Sequence, residues 1–244
     1  MKVIKLEKVD STNNYAKLNI ENFADKTIIH ALSQTSGRGR LNRSWVDLGD
    51  GNLFMSFILK PSDSFNEIYP NITQYLSVVL CKVLESYGLK PEIKWPNDVL
   101  ISGKKIAGIL SETVMSGNVL KGIVVGIGVN LNSNNDDISS IPDKIATSLN
   151  LEIGKDVDLD VFMNELTEEF FKNYDAFLGN GFEFIKNDYI NRNCFLNKEL
   201  NVQIFNNVET GLAKSINDRG ELVLLKEDKE LVLTIGDILW VMEL

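Results

Sequence analysis

The sequence predicts an α+β protein, with a mixed β-sheet and its packed helices first and a small all-β domain at the end. Three observations predict it. Up to about residue 180 the chain contains both strand patterns and two long helical patterns. It has no internal repeat and no long linker. After Asn193, short strand patterns follow one another at close spacing. At roughly 150 residues per domain, 244 residues suit one large and one small domain. We expect the large domain over residues 1–192 and the small one over 193–244.

The first quarter of the chain predicts three strands and a helix. Residues 1–8 alternate charged and apolar side chains, which favours a strand over a signal peptide. The segment 10–13, Asp-Ser-Thr-Asn, offers capping side chains for a helix that ends near Ile20. Two further predicted strands follow, with a glycine-rich loop between them: Lys26–Ser33, the loop Gln34–Gly51, and Asn52–Leu59.

Helical spacing marks two long segments in the middle of the chain. In Asn66–Tyr87 apolar residues recur at i, i+4, i+7 and i+11, and Gly88 follows as a C-terminal cap. In Leu159–Leu178 an apolar stripe runs along one face, which predicts a second amphipathic helix. The strand patterns between the two helices are Glu92–Trp95, Asp98–Ile101, Lys104–Val114 and Asn118–Leu131, the last two joined by a hairpin turn.

The last fifty residues predict a small β-barrel, because short strands recur at close spacing with polar turns between them. The predicted strands are Leu200–Phe205, Thr210–Ile216, Glu221–Leu225 and Leu231–Ile235.

Composition excludes several classes of function. The net charge of −9 and the pI of about 4.8 disfavour a nucleic-acid-binding protein. Two distant cysteines and one histidine exclude a disulfide framework and a His-rich metal site, so we predict no metal centre. No segment has the length and apolarity of a membrane span. We therefore expect a cytoplasmic protein without membrane contact, whose chemistry uses lysine, arginine, carboxylate, amide and backbone groups.

The loop over residues 37–45, Gly-Arg-Gly-Arg-Leu-Asn-Arg-Ser-Trp, is the first segment suited to chemistry. Its glycines allow close approach of a ligand to backbone N–H groups, and its arginines suit phosphate or carboxylate. The terminal Trp45 can stack on a flat ring. From the residues alone, an anion-binding loop and a solvated basic loop are equally good interpretations.

Two further segments carry polar groups between apolar strands. Residues 94–98, Lys-Trp-Pro-Asn-Asp, form a constrained polar turn, and Lys104 and Lys105 open the next strand. Because neighbouring strand residues point to opposite faces, only one of these two lysines can enter a site. In residues 126–132, Gly-Ile-Gly-Val-Asn-Leu-Asn, the glycines indicate close packing against another element or a ligand.

Taken in order, these segments resemble the biotin protein ligases over nearly the whole chain. The resemblance runs from residues 10–13 through Gln34, the loop ending in Trp45, Lys94–Asp98 and Lys105–Leu110, and ends with Gly126–Asn130 and the small β-domain. It implies a catalytic fold like that of class II aminoacyl-tRNA synthetases and a C-terminal SH3-like barrel. Because the motif at residue 11 lies so near the start, the chain is similar to the short class without an N-terminal DNA-binding domain.

The resemblance implies an ATP-dependent ligase that converts biotin to biotinyl-5′-AMP and transfers it to a lysine of a biotin carboxyl carrier domain. ATP with Mg²⁺ would be the co-substrate and biotin the substrate, with no permanently bound cofactor. It also implies which residues bind biotin: Ser11, Thr12, Asn13, Gln34, Gly37, Arg38, Gly39, Arg40, Lys105 and Gly108. Those implied for ATP are Arg40, Arg43, Trp45, Lys94, Asn97, Lys105 and Asn130.

The implied catalytic residues are Arg40, Lys105, Lys94 and Asp98. Arg40 and Lys105 would face the biotin carboxylate and the α-phosphate, and Lys94 would help hold the phosphates. Asp98 would orient or deprotonate the acceptor lysine, with a turn-capping role nearly as good an interpretation. At Asn42, where the family usually has glycine, we expect a left-handed backbone conformation, which Asn tolerates.

Other interpretations remain open at this point. A lipoate ligase would share the adenylate chemistry, and a biotin sensor or transcriptional regulator would bind without catalysis. The resemblance allows a homodimer, and the strand Gly122–Leu131 suits either a dimer interface or the centre of the sheet. Pyrophosphate release with biotin or with lipoate separates the two ligases.

Overall fold

Two β-sheets organise the protein. The structure is a computed structural model that describes residues 2–41, 43–62, 64–141 and 145–239. The strands of the first sheet are β1 (Lys2–Val9), β2 (Thr27–Gln34), β3 (Leu53–Leu59), β4 (Pro91–Lys94), β5 (Asp98–Ile101), β6 (Lys104–Ser116) and β7 (Val119–Val129). Their spatial order is β1-β2-β3-β7-β6-β5-β4, with β1 parallel to β2 and the other pairs antiparallel. The predicted mixed sheet is thus confirmed.

Seven α-helices occupy the described part of the chain. They are α1 (Thr12–Leu18), α2 (Ile72–Ser86), α3 (Asn135–Ser139), α4 (Leu149–Ile153), α5 (Leu159–Lys172), α6 (Tyr174–Asn180) and α7 (Lys186–Asn191). Short 3-10 segments at Ile20–Asn22, Tyr69–Asn71 and Gly181–Phe184 flank α1, α2 and α6. Helix α2 begins six residues later than the sequence predicts, because Pro70 lies in the 3-10 turn before it.

The alternation of strand side chains divides the packing between the two faces of the sheet. Ile28, Phe57 and Val125 face the main core under α2 and α5, whereas Ile29, Ile58 and Val124 face Ala16 of α1 on the other side. The two layers of helices therefore cover opposite faces, and the strands between them are apolar in almost every position.

The long helix predicted over Leu159–Leu178 is broken. Asn173 leaves the helical conformation, with φ −124° and ψ 11°, and it ends α5 and begins α6. The break places two aromatic rings against Tyr75 of α2: Phe177 stacks on it at 4.6 Å and Phe170 meets it edge-on at 5.2 Å. Aromatic packing therefore overrides the continuous helical pattern.

The strand β7 lies at the centre of the sheet, hydrogen-bonded to β3 on one side and β6 on the other. Of the two interpretations of Gly122–Leu131, the central strand is correct, and both of its edges are already paired.

The second sheet is antiparallel and follows residue 198. Its strands are β8 (Glu199–Ile204), β9 (Asn207–Ile216), β10 (Leu222–Lys226), β11 (Lys229–Leu233) and β12 (Asp237–Leu239), in the spatial order β11-β10-β9-β8-β12. Four strands match the predicted ones, and β12 adds a fifth. Among the described pairings β11 and β12 are the two edges, so the structure gives a five-stranded sheet consistent with an SH3-like domain.

The second sheet packs against the first sheet and its helices through a common core and through polar contacts. Val202 and Leu224 belong to the same apolar cluster as Phe57. At the turn before β10, the carbonyl of Gly220 accepts hydrogen bonds from Gln74 Nε2 at 2.8 Å and Trp95 Nε1 at 3.1 Å. These contacts bring the end of β12 to the edge of the cavity described below.

Across the residues that the structure describes, no helix combines the length and the apolarity that a membrane crossing requires.

Candidate active site

A cavity of about 550 Å³ opens over the strands β6 and β7, a volume typical of a site for one organic ligand. Its walls include the start of α1, the glycine-arginine loop over residues 37–45, the turn between β4 and β5, and the strand β12. The cavity thus gathers segments as far apart in the sequence as Ser11 and Leu239.

The glycine-arginine loop is a small hairpin. Arg38 and Ser44 form an antiparallel bridge, and Gly39 N donates to Arg43 O at 2.7 Å. Among the described residues of the loop, Leu41 has a left-handed backbone, with φ +50°. Asn42, for which we expected that conformation, lies outside the described residues.

A buried polar network forms the wall of the cavity next to α1. Gln34 Oε1 accepts from Thr12 N at 2.8 Å and from Thr12 Oγ1 at 3.2 Å. Ser56 Oγ lies 2.8 Å from Thr12 Oγ1 and donates to Asn13 Oδ1 at 2.6 Å. Asn13 Nδ2 donates to Leu110 O at 3.1 Å and to Glu112 Oε2 at 2.9 Å. The network leaves Gln34 Nε2 as a donor and one lone pair on Asn13 Oδ1 as an acceptor for a polar, uncharged ligand group.

Three cations, Lys105 on β6, Lys94 on β4 and Arg40 on the glycine-arginine loop, lie farther along the cavity. Lys105 Nζ donates to Asp98 Oδ1 at 2.6 Å and lies 5.5 Å from the centre of the Trp45 ring. Lys104 points elsewhere, with its Nζ 3.8 Å from Glu152. Arg40 Nη1 donates to Asn97 Oδ1 at 3.2 Å, and burial lowers the pKa of this guanidinium despite the nearby carboxylates. Burial likewise lowers the pKa of Lys94, which also lines the cavity.

The indole of Trp45 lies flat on a floor without side chains. Gly108 and Gly128 pair across β6 and β7, and both lie under the ring. A Cβ atom at Gly128 would lie 2.5 Å from Trp45 Cε2, and one at Gly108 would lie 2.9 Å from Cζ3. These glycines are therefore required by close approach, as the glycine spacing in the strand indicated.

The C-terminal sheet supplies an acid to the loop. Asp237 on β12 pairs with Arg40 at 3.3 Å and with Arg43 at 3.2 Å, and the carbonyl of Gly236 accepts from Arg40 at 3.2 Å. Gln203, opposite Asp237 on β8, accepts from Arg43 at 3.4 Å. Each sheet thus contributes one carboxylate to the loop. Glu112 of the first sheet pairs with Arg38, and Asp237 of the second sheet pairs with Arg40 and Arg43.

The structure brings nearly all predicted site residues to this cavity. Those that line it are Ser11, Thr12, Asn13, Gln34, Arg38, Gly39, Arg40, Arg43, Trp45, Lys94, Asn97, Asp98, Lys105 and Gly108. Gly37 lies at the base of the hairpin, where its carbonyl accepts from Trp45 N. Asn130 lines a small recess beside Trp45, and its Nδ2 donates to Thr147 O at 3.0 Å.

Three residues of the site were missed in the sequence. Ser56 and Glu112 lie inside ordinary strand patterns, and Asp237 lies in a short strand that was not predicted. The position of Glu112 in a predicted inner strand was a usable signal, because a carboxylate buried in a sheet needs hydrogen-bond donors around it.

Comparisons with known proteins show which family the chain is similar to. The model of the biotin/lipoate A/B protein ligase family matches residues 5–130. The bifunctional ligase/repressor BirA of Bacillus spizizenii is 32% identical over 218 residues, covering 88% of this chain and 67% of that protein. The biotin–(acetyl-CoA-carboxylase) ligase of Paracoccus denitrificans is 30% identical over 226 residues, covering 90% and 92%. The chain spans about two thirds of the length of the Bacillus relatives, 67% and 62%.

Solved structures give the same result for the fold. The biotin protein ligase of Aquifex aeolicus, solved in complex with biotin and ATP, superposes with a TM-score of 0.78 at 28% identity and covers 97% of both chains. Its apo structure gives a TM-score of 0.77. Since the family model covers more than half of the chain and full-length relatives match its fold, this protein belongs to the biotin/lipoate A/B protein ligase family.

Proposed function

We propose that this protein is a biotin protein ligase. It activates biotin with ATP, supplied as its Mg²⁺ complex, to biotinyl-5′-AMP and pyrophosphate, and it then transfers biotin to a lysine of a biotin carboxyl carrier domain. Relatives named as biotin–(acetyl-CoA-carboxylase) ligases support the reaction and the carboxylase carrier as partner. A structural relative solved with biotin and ATP supports the two small substrates.

The observation that carries the proposal is the order of residues along β6. Lys105 is the second residue of the strand, Gly108 follows under Trp45, and Leu110 follows beside Asn13. Lys105 therefore lies at one end of the cavity, and the amide and hydroxyl groups of Thr12, Asn13 and Gln34 lie at the other. Biotin has the matching form, with a neutral cyclic urea at one end and a carboxylate at the other. The donor of Gln34 and the acceptor of Asn13 suit the carbonyl and an N–H of the urea.

In the first reaction, a carboxylate oxygen of biotin attacks the α-phosphorus of ATP, and the bond to pyrophosphate breaks. Two anions must approach each other, so positive charge held in place lowers the barrier. Lys105 and Arg40 would supply it at the reacting oxygens. Lys94 and Arg43 would hold phosphates, and Trp45 would stack on the adenine.

In the second reaction, the amine of the carrier lysine attacks the acyl carbon of the adenylate. An amide forms and AMP leaves, and the amine must lose a proton. We propose that the carboxylate of Asp98 orients or deprotonates this amine. Asp98 also accepts a hydrogen bond from Lys105 and thereby orients that cation.

The remaining expectations belong to the same proposal. Residues 1–192 would form the catalytic domain and 193–244 the C-terminal domain, a boundary supported by the division of strands between two sheets. A cytoplasmic location would supply ATP and keep the two buried cysteines reduced. A homodimer is the remaining expectation on partners.

The test is a pair of assays on the purified chain. Incubation with ATP and biotin should release pyrophosphate and yield biotinyl-5′-AMP by mass spectrometry, whereas ATP and lipoate should not. Addition of a biotin carboxyl carrier domain should then give a biotinylated lysine, with a carrier lysine-to-arginine variant as control. Turnover with lipoate in place of biotin would contradict the proposal and favour a lipoate ligase.

A further inference from the structure

Glu112 connects two parts of the site without lining the cavity itself. It lies on β6 opposite Val124 of β7, and its side chain is 18% exposed. The residues around the cavity include its neighbour Leu110 and its partners Asn13 and Arg38. Glu112 therefore stands directly behind residues that face the ligand.

Its carboxylate receives three donors. Oε2 accepts from Asn13 Nδ2 at 2.9 Å, and Oε1 accepts from Lys17 Nζ at 2.6 Å and from Arg38 Nη1 at 2.9 Å. Burial raises the pKa of Glu112, but the hydrogen bonds from Lys17 and Asn13 and the charges of Lys17 and Arg38 outweigh that effect and lower it. The side chain is thus held as a carboxylate, which accepts hydrogen bonds and donates none.

The hydrogen bonds of Asn13 fix which way its amide points. Both hydrogens of Nδ2 are used, by Glu112 and by the carbonyl of Leu110, and Oδ1 is turned toward Ser56 and Gly126. The carbonyl of Leu110 and the carboxylate of Glu112 both favour this orientation, whereas a donor at residue 112 would favour the flipped amide. Glu112 thereby helps to ensure that Asn13 presents an acceptor, and not a donor, to the ligand.

The same carboxylate anchors the start of the glycine-arginine loop. Arg38 Nη1 bonds to Glu112 and to Asn14 Oδ1, at 2.9 and 2.8 Å. Without the carboxylate, the partly buried Lys17 and the exposed Arg38 would lie near each other as unpaired charges of the same sign, and repulsion would favour a displaced loop.

We propose that Glu112 is a positioning residue. It holds the amide of Asn13 in one orientation and anchors the start of the glycine-arginine loop, so that the polar end of the cavity and the loop that covers it are ordered together. The inference rests on the proposed function only in naming biotin as the ligand. It assigns Glu112 no contact with the reacting atoms.

The test compares Glu112→Gln with Glu85→Gln. Glu85 also forms a well-aligned ion pair, with Arg192, but it lies outside the cavity. We expect Glu112→Gln to raise the Kd and KM for biotin about 10-fold or more while kcat at saturating biotin stays within about 3-fold, since Lys105 and Arg40 are untouched. Glu85→Gln should leave all three values unchanged.

A double-mutant cycle separates positioning from a general loss of stability. The effects of Arg38→Met and Glu112→Gln on biotin Kd should be strongly non-additive, because both remove the same link. Should Glu112→Gln fail to fold, the cycle between Asn13→Ala and Arg38→Met gives the same measurement, since Glu112 is the residue that they share. Additive effects within about 2-fold, or an unchanged Kd in Glu112→Gln, would overturn the proposal. If the parent protein itself forms no biotinyl-5′-AMP, the proposed function fails instead.

Discussion

Lys105 Nζ and Asp98 Oδ1 form a hydrogen-bonded ion pair of 2.6 Å at the cationic end of the cavity. The two residues lie on neighbouring strands, β6 and β5, and each side chain is about one fifth exposed. A lysine has four rotatable bonds, and this carboxylate selects one arrangement of them, over the face of Trp45. Asp98 is therefore a structural partner of Lys105 before any carrier lysine arrives.

Replacing Lys105 by Gln should reduce adenylate formation by about 100-fold or more, because a charge fixed at the reacting oxygens is lost. The matched control is Lys104→Gln, since Lys104 lies next in sequence and points away to Glu152. Pyrophosphate release with ATP and biotin measures both. Normal pyrophosphate release by Lys105→Gln, together with its loss in Lys104→Gln, would show that Lys104 and not Lys105 is the catalytic lysine.

Asp98→Asn tests which of its two tasks dominates. The amide keeps a hydrogen bond to Lys105 but removes the charge, so we expect adenylate formation to fall about 10-fold together with transfer to the carrier. Single-turnover measurements, one for each reaction, give the answer. A normal first reaction with a slow transfer would instead identify Asp98 as acting on the acceptor amine alone.

Asp237→Asn should increase escape of biotinyl-5′-AMP from the site. Arg40 and Arg43 both pair with this carboxylate, and its loss frees the end of the loop from the C-terminal sheet. Leaked adenylate would acylate lysines of a bystander protein such as serum albumin, as we also expect for Arg40→Gly. Glu209→Gln, which removes an ion pair with Lys226 on the same sheet, is the control. Equal bystander labelling by Asp237→Asn and the parent would refute the role of Asp237.

Gly128→Ala should weaken ATP binding by about 10-fold or more while the protein stays folded. The new methyl group would overlap the indole of Trp45, and such overpacking costs about 1–3 kcal/mol. Gly179→Ala is the control, because open space surrounds Gly179 in helix α6 and alanine favours a helix. Calorimetric titration with ATP measures both. Parent-like affinity in Gly128→Ala would mean that the ring does not bind against this floor.

His30 should make the protein less stable in mild acid. The side chain is 1% exposed, and within the described part of the chain neither ring nitrogen has a hydrogen-bond partner. Burial, and secondarily the charge of Lys5, lower its pKa below the ordinary value of 6.5. The unfolded chain therefore binds the proton more readily, so stability is full above about pH 6.5 and falls as the pH drops through the window below it.

Thermal unfolding between pH 7.5 and 5 measures this effect. His30→Phe keeps a flat ring of similar size and cannot take up a proton, so its melting temperature should depend less on pH. His30 is the single histidine of the chain, and carboxylates titrate mostly at lower pH. An equal dependence in the variant and the parent would place the acid sensitivity elsewhere.

The sequence predicted the local elements well and the contacts between them poorly. Strand alternation located β2, β3, β6 and β7 within a few residues, and helical spacing located α2 apart from its first turns, since both patterns are local. The broken helix at Asn173 depends on rings that are contributed by α2, which no local pattern contains. The glycine-arginine loop and the turn at residues 94–98 stood out because arginine, glycine and a polar turn are unusual between apolar strands.

The site residues that the sequence did not predict are those whose contacts depend on strand register. Asp237 lies 197 positions from Arg40, and Glu112 lies 99 from Asn13, so neither pair can be found from spacing. An alternating pattern says which face a strand residue occupies but not which residue it meets across the sheet. For that reason Ser56 and Glu112 look like ordinary strand residues until the sheet is assembled.

The flat floor of Gly108 and Gly128 under Trp45 makes these three positions dependent on one another in evolution. A larger residue at either glycine is harmful while the indole is present, and a smaller residue in place of the indole leaves a gap over both glycines. We therefore expect any single substitution at Gly108, Gly128 or Trp45 to impair the site, even on the way to a variant that binds a ring of another shape. Laboratory selection for a new nucleotide would do best to vary all three codons in a single library.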